Sequence, residues 1–94
     1  MHLFVYRGFD GPRGAALRQS VRERHLAHLQ VLADAGRIRF AGPLLDDAGE
    51  PCGSLVVLEA KDLAAARAIA LSDPYLREGV FERVEVHGTR AVLP

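Results

Sequence analysis

Between residues 15 and 35 the apolar side chains recur at helical spacing, and this stretch constrains the fold more than any other. With Leu17 as origin, Val21 falls at about 40°, Leu32 at about 60° and Leu29 at about 120°, forming one stripe. Gln19, Glu23, Gln30 and Asp34 lie on the opposite side, and Gly36 supplies a C-terminal stop. A helix of roughly six turns must lay that stripe on a second layer.

The flanking segments supply one. "HLFVY", residues 2–6, is a β-type run ended by the turn-forming "RGFDGPRG". "RIRFAG" alternates Arg37, Ile38, Arg39 and Phe40 as a half-buried strand, then runs into "GPLLDDAGEP", which reads as a loop. "GSLVVLEA", residues 53–60, is β-branched at its centre and reads as a strand. Asp62 can cap the alanine-rich helix "LAAARAIAL", which stops before Pro74. "VFERVEVHGTRAVL" closes the chain with a strand of roughly seven residues and an irregular tail.

The order β-α-β-β-α-β predicts an α+β fold of ferredoxin-like type, a four-stranded antiparallel sheet with two helices on one face. Ninety-four residues make one domain, 1–94, with little apolar surface to spare. The uncovered sheet face would expose Phe and Val side chains, which predicts a homodimer formed through that face.

Twelve basic and twelve acidic residues cancel. A neutral chain has no electrostatic footprint for nucleic acid or for an anionic membrane surface. The single cysteine, Cys52, allows no internal disulfide and fits a reducing compartment. "MHLFVYRGFDG" lacks the length and cleavage site of a signal peptide, and no stretch reaches the roughly 20 apolar residues that span a bilayer. Both observations predict a cytoplasmic protein.

One polar residue interrupts the stripe. His25 falls at about 80° on the wheel, between Leu32 and Leu29, with Arg22 at about 140° and His28 at about 20°. Burying an imidazole without a partner costs roughly 1–3 kcal/mol, so some group must take its proton. A backbone carbonyl or a water would suffice. The alternative is Asp73 in "LSDPYL", where Pro74 breaks the second helix. Asp before Pro is also a common turn element. The topology brings the two helices side by side, so His25 and Asp73 can meet. A carboxylate on one ring nitrogen orients the imidazole and strengthens the other nitrogen as a base.

At these residues the chain resembles the YCII (YciI-like) family. The resemblance runs over nearly the whole length, through Arg22 and His25 in "RERHLAHL", Gly42 and Pro43 in "AGP", Gly53 and Ser54, then "DPY" at Asp73 to Tyr75 followed by Gly79. It implies a ferredoxin-like domain that dimerises through its sheet, with an active site on His25 and Asp73. Similar proteins include a chloromuconolactone dehalogenase.

Other candidates weigh less. His25 and His28 form H-x-x-H, but a metal site needs a third ligand, Asp73 or His2, and no second motif accompanies it. Cys52 reads as an inert thiol in a loop. The Ser54 hydroxyl lines a cleft or merely opens a strand; Tyr75 offers its phenol or packs; Gly42 and Pro43 shape a strand exit. "GFDGPRG" lacks dinucleotide-loop spacing. The resulting expectation is a small enzyme without cofactor or metal. His25 serves as general acid/base and Asp73 as its orienting partner. Arg22 anchors a substrate carboxylate or enolate, and Ser54, Tyr75, Gly42 and Pro43 contact a small carbonyl- or lactone-type substrate undergoing elimination or isomerisation. The alternative is a non-catalytic domain holding a small metabolite in the same cleft.

Overall fold

The computed structural model describes all residues, Met1–Pro94. The elements are β1 (His2–Asp10), α1 (Gly14–Asp34), β2 (Ile38–Leu45), β3 (Pro51–Ala60), α2 (Leu63–Leu71), a one-turn helix α3 (Pro74–Arg77) and β4 (Phe81–Thr89). The sheet order is β2-β3-β1-β4 with every neighbour antiparallel. This is the ferredoxin-like α+β arrangement read from the sequence. No helix is long and apolar enough to cross a membrane.

Both long helices cover one sheet face. Phe4 and Tyr6 of β1 and Val56, Leu58 and Ala60 of β3 meet Leu29 and Leu32 of α1 and Ala66 and Ala70 of α2. The two alanines let α2 approach the strands closely. Asp62 caps α2 as expected, its Oδ1 accepting from the Ala65 N–H at 2.8 Å. A second cluster, Val21, Tyr75, Val80 and Phe81, fastens α3 beneath α1. It is this cluster that positions the site.

Three sequence boundaries need correction. β1 continues past Tyr6 to Asp10, because Arg7, Gly8 and Phe9 are paired to both β3 and β4. Gly8 reads as a turn former, yet its role is packing: a side chain there would collide with the Phe81 ring. β2 likewise runs through Gly42 and Pro43 to Leu45, so these two residues lie inside a strand rather than at its exit. The proline is tolerated because β2 is an edge strand. Only Asp46–Glu50 turns, held by Asp46 Oδ1 accepting from the Ala48 and Glu50 N–H groups at 2.9 and 3.0 Å. Cys52 therefore belongs to β3, not to a loop, and is exposed.

Alternation along the strands sends Val5, Phe9, Leu55 and Val57 to the face opposite the helices. Phe40 joins them opposite Val57 and is 53% exposed. Arg83 and Arg7 lie over the Phe9 ring at 3.7 and 4.3 Å from its centroid. No element of the chain covers this surface.

Candidate active site

Pro74 ends the run of helix begun at Leu63, and the residue before a proline is pushed to extended backbone. Asp73 obeys, with φ −62° and ψ 125°, and caps the new turn: its Oδ1 accepts from the Tyr75 N–H at 2.9 Å. The side chain thereby points back under α1. It is fully buried. A carboxylate in that position needs several donors, and two more arrive from distant elements. His25 Nδ1 lies 2.7 Å from Oδ1, and the Tyr6 hydroxyl donates to Oδ2 at 2.8 Å.

Burial pushes the Asp73 carboxyl up, but the hydrogen bond and charge of His25, then the Tyr75 N–H and the Tyr6 hydroxyl, outweigh it. The net direction is below the ordinary carboxylate value. The same contact works in reverse on Tyr6, whose phenol is pushed up by burial and by the Asp73 charge. An ionised carboxylate can only accept, so His25 Nδ1 carries the proton. The topology thus brings His25 and Asp73 into direct contact.

No buried side-chain nitrogen or oxygen lacks a hydrogen-bond partner. His25 Nε2 bonds to no protein group, so it reaches solvent, and it does so in a cavity of about 450 Å³ that the ring lines. That volume suits a small organic ligand. The cavity lies between α1, β2, β3 and α3. Arg22, His25, Gly42, Pro43, Ser54 and Tyr75 all contribute to its wall, and Asp73 stands directly behind His25. Arg22 is exposed and makes no ion pair.

Tyr75 both packs and turns its hydroxyl to the cavity. Its ring stacks on His25, centroids 3.9 Å apart and 5° from parallel, and meets Phe81 edge-on at 5.4 Å. Its hydroxyl has no protein partner and therefore opens on the cavity. Ser54 is buried in the interior of β3, not at its start, and its Oγ faces Arg18 Nη2 at 3.3 Å. His28 donates from Nε2 to the Ile69 carbonyl at 2.9 Å, which holds α1 to α2. The H-x-x-H pair thus serves two separate partners, and no three His, Cys, Asp or Glu side chains converge as metal ligands would.

Arg18 escaped the sequence reading although its signal was present. On the same wheel it stands at about 100°, between His25 and Leu29. It lines the cavity and is clamped by Asp10, Nε to Oδ2 at 2.7 Å and Nη2 to Oδ1 at 2.8 Å, with the Gly53 carbonyl also accepting from Nη2 at 2.8 Å. Its guanidinium lies over the Tyr75 ring, 5.1 Å from the centroid. Asp10 lies in the turn-prone "RGFDGPRG", where nothing local marks it as a partner.

Chemically, the cavity combines an oriented imidazole, a phenol, two guanidiniums and a few apolar walls. Such a set can remove a proton from carbon and steady the negative charge that develops.

Comparison with known proteins agrees in extent. Residues 3–89 match the YCII-related domain. Protein YciI of Escherichia coli O6:H1 is 42% identical over 97 residues, covering 97% of this chain and 99% of that one. An uncharacterised Haemophilus influenzae protein is 37% identical over 90 residues, covering 89% and 92%. Among solved structures, the 5-chloro-2-hydroxyhydroquinone dehydrochlorinase TftG of Burkholderia phenoliruptrix, in complex with 2,5-dihydroxybenzoquinone, superposes with a TM-score of 0.81. It is 26% identical, over 94% of this chain and 93% of that one. An antibiotic biosynthesis monooxygenase, 14% identical with a TM-score of 0.58, shares the fold. On the family match and the near full-length identity to protein YciI, this chain belongs to the YCII-related domain family.

Proposed function

We propose that the chain is a small enzyme that moves a proton at carbon beside a carbonyl, with elimination or isomerisation of a small ring substrate as the outcome. His25 Nε2 takes the proton. Asp73 holds the imidazole in the tautomer that leaves Nε2 free and stabilises the imidazolium formed. The electron pair left on carbon moves into the carbonyl, giving an enolate. That enolate either expels a leaving group such as chloride or is reprotonated at another carbon by His25. Arg22 attracts the anionic end of the substrate, Ser54 and Tyr75 offer hydroxyls, and Gly42 and Pro43 form a wall. Proton transfer of this kind asks for neither cofactor nor metal.

The observation that carries the reading is the 2.7 Å contact of His25 with a fully buried carboxylate while Nε2 remains open to a ligand-sized cavity. The dehydrochlorinase relative lends the elimination chemistry. We extend the reading to a homodimer that packs the open sheet faces of two copies together, supported by the uncovered Phe40, Val5, Leu55 and Val57, and to the cytoplasm as its compartment.

A His25→Ala variant should lose about 10²–10⁴-fold in rate on an identified substrate. Full activity in that variant would end the proposal. In NMR, the Nδ1–H resonance of His25 should be displaced in Asp73→Asn; an unmoved resonance would favour a domain that binds a metabolite without transforming it.

A further inference from the structure

We propose that Tyr6 is a positioning residue for the proton transfer. Its hydroxyl fixes the plane of the Asp73 carboxylate and draws off part of its charge, so that the proton between Asp73 and His25 stays on the imidazole. The inference rests on the acid/base reading of His25 and Asp73, and it adds a third member supplied by the sheet.

The distribution of donors leads there. Oδ1 of Asp73 meets His25 Nδ1 and the Tyr75 N–H, at 2.7 and 2.9 Å, while Oδ2 has a single protein donor, the Tyr6 hydroxyl at 2.8 Å. Two bonds converging on one oxygen let a carboxylate turn about that oxygen; a bond to the other oxygen removes the freedom. Asp73 needs such a hold, because it sits at the break between α2 and α3 rather than within a helix. Tyr6 is well placed to give it. β1 is an inner strand, and Tyr6 pairs with Val56 of β3 on one side and Val86 of β4 on the other.

Packing alone asks for no hydroxyl here. Tyr6 is fully buried among Phe4, Leu29, Val56 and Leu58, where a phenylalanine would fill the same apolar place. The hydroxyl makes one hydrogen bond, and that bond goes to Asp73. Burial, then the charge and hydrogen bond of Asp73, push this phenol up, so it always keeps a proton to donate. Donors on one carboxylate compete, because each withdraws charge that strengthens the others. Tyr6 therefore moderates the pull of Asp73 on the Nδ1 proton. That matters once Nε2 has taken the substrate's proton and both ring nitrogens carry hydrogen. A carboxylate with one donor fewer would draw the Nδ1 proton to itself and strand the substrate's proton on a neutral ring. With Tyr6 in place the imidazolium persists and can give that proton back.

The test reads the hydrogen bond itself, by NMR at neutral pH. In Tyr6→Phe the His25 Nδ1–H resonance should move downfield, as the carboxylate pulls harder on the donors left to it. In Asp73→Asn it should move upfield, since a neutral amide oxygen is the weaker acceptor. Leu58→Val disturbs the same apolar cluster without removing a bond to Asp73, and should leave the resonance in place. Should Tyr6→Phe fail to fold, 3-fluorotyrosine in a Tyr75→Phe background labels Tyr6 alone, because the chain has two tyrosines. That phenol is more acidic and donates more strongly, so the resonance must move upfield of the unlabelled background. An upfield or unmoved resonance in Tyr6→Phe would overturn the inference, as would an equal displacement in Leu58→Val or an unmoved one with fluorotyrosine. So would the absence of a resolved Nδ1–H resonance in the wild type, since a carboxylate held on both oxygens protects that proton from exchange. If Asp73→Asn still displaces the resonance in such a case, the His25–Asp73 pair works without Tyr6; if it does not, the acid/base reading itself falls.

Discussion

Asp73→Ala and Asp73→Asn should part company, because the three contacts of this carboxylate differ in what they require. Alanine leaves the His25 Nδ1–H, the Tyr6 hydroxyl and the Tyr75 N–H without their acceptor in a fully buried place. Each buried donor left without an acceptor costs about 1–3 kcal/mol, so the three together cost several kcal/mol. For a domain of this size each kcal/mol moves the melting temperature by about 4–8 °C, so the variant should melt tens of degrees lower. Asparagine retains an oxygen for His25 and Tyr75, and the Tyr6 hydroxyl can rotate to accept from the new amide. Its cost should stay near the 1–2 kcal/mol of exchanging charge-assisted bonds for neutral ones. The pH dependence follows from the direction of the Asp73 shift. A carboxyl held below its unfolded value contributes stability that is present above the unfolded value, about pH 4, and is lost as pH falls through the lower folded value. Urea denaturation between neutral pH and pH 3 would measure both effects. The wild type should lose stability over the acid end of that range, and Asp73→Asn should lose less. Equal destabilisation by Ala and Asn, or an Ala variant within about 0.5 kcal/mol of wild type, would refute the account of Asp73 as a buried, triply bonded anion.

Tyr6→Phe removes a single donor from the same carboxylate and should cost about 1–3 kcal/mol in urea denaturation without disturbing the fold seen by NMR. Gly8→Ala drives a methyl group into the Phe81 ring and should cost at least as much as typical core overpacking, about 1–3 kcal/mol, measured in the same way. Phe40→Glu on the open sheet face should leave the folded monomer intact and abolish self-association in sedimentation velocity; an unchanged dimer would show that this face is not the interface. Asp62→Ala should cost about 1 kcal/mol through loss of the bond to the Ala65 N–H, again by denaturation.

Local pattern carried the outline of this molecule. Apolar spacing marked α1 within a residue at each end, β-branched content marked β3, and Asp62 and Pro74 bounded α2. The order of those elements then implied one antiparallel sheet under two helices, and with it the meeting of His25 and Asp73. What escaped were features made by contact between distant segments. Arg7 to Asp10 and Gly42 to Leu45 have turn-prone residues among them, but β3 and its neighbours offer them hydrogen bonds, and that gain overrides weak intrinsic preference. Tyr6 gave no sign of serving Asp73, sixty-seven residues away. Arg18 stood in the apolar arc of α1, yet a wheel ranks residues by hydrophobicity and says nothing of a carboxylate waiting across a turn at Asp10. Periodicity reports which side of an element is dry. Whether a polar group on that side is a misfit or part of a site depends on partners that only folding brings within bonding distance.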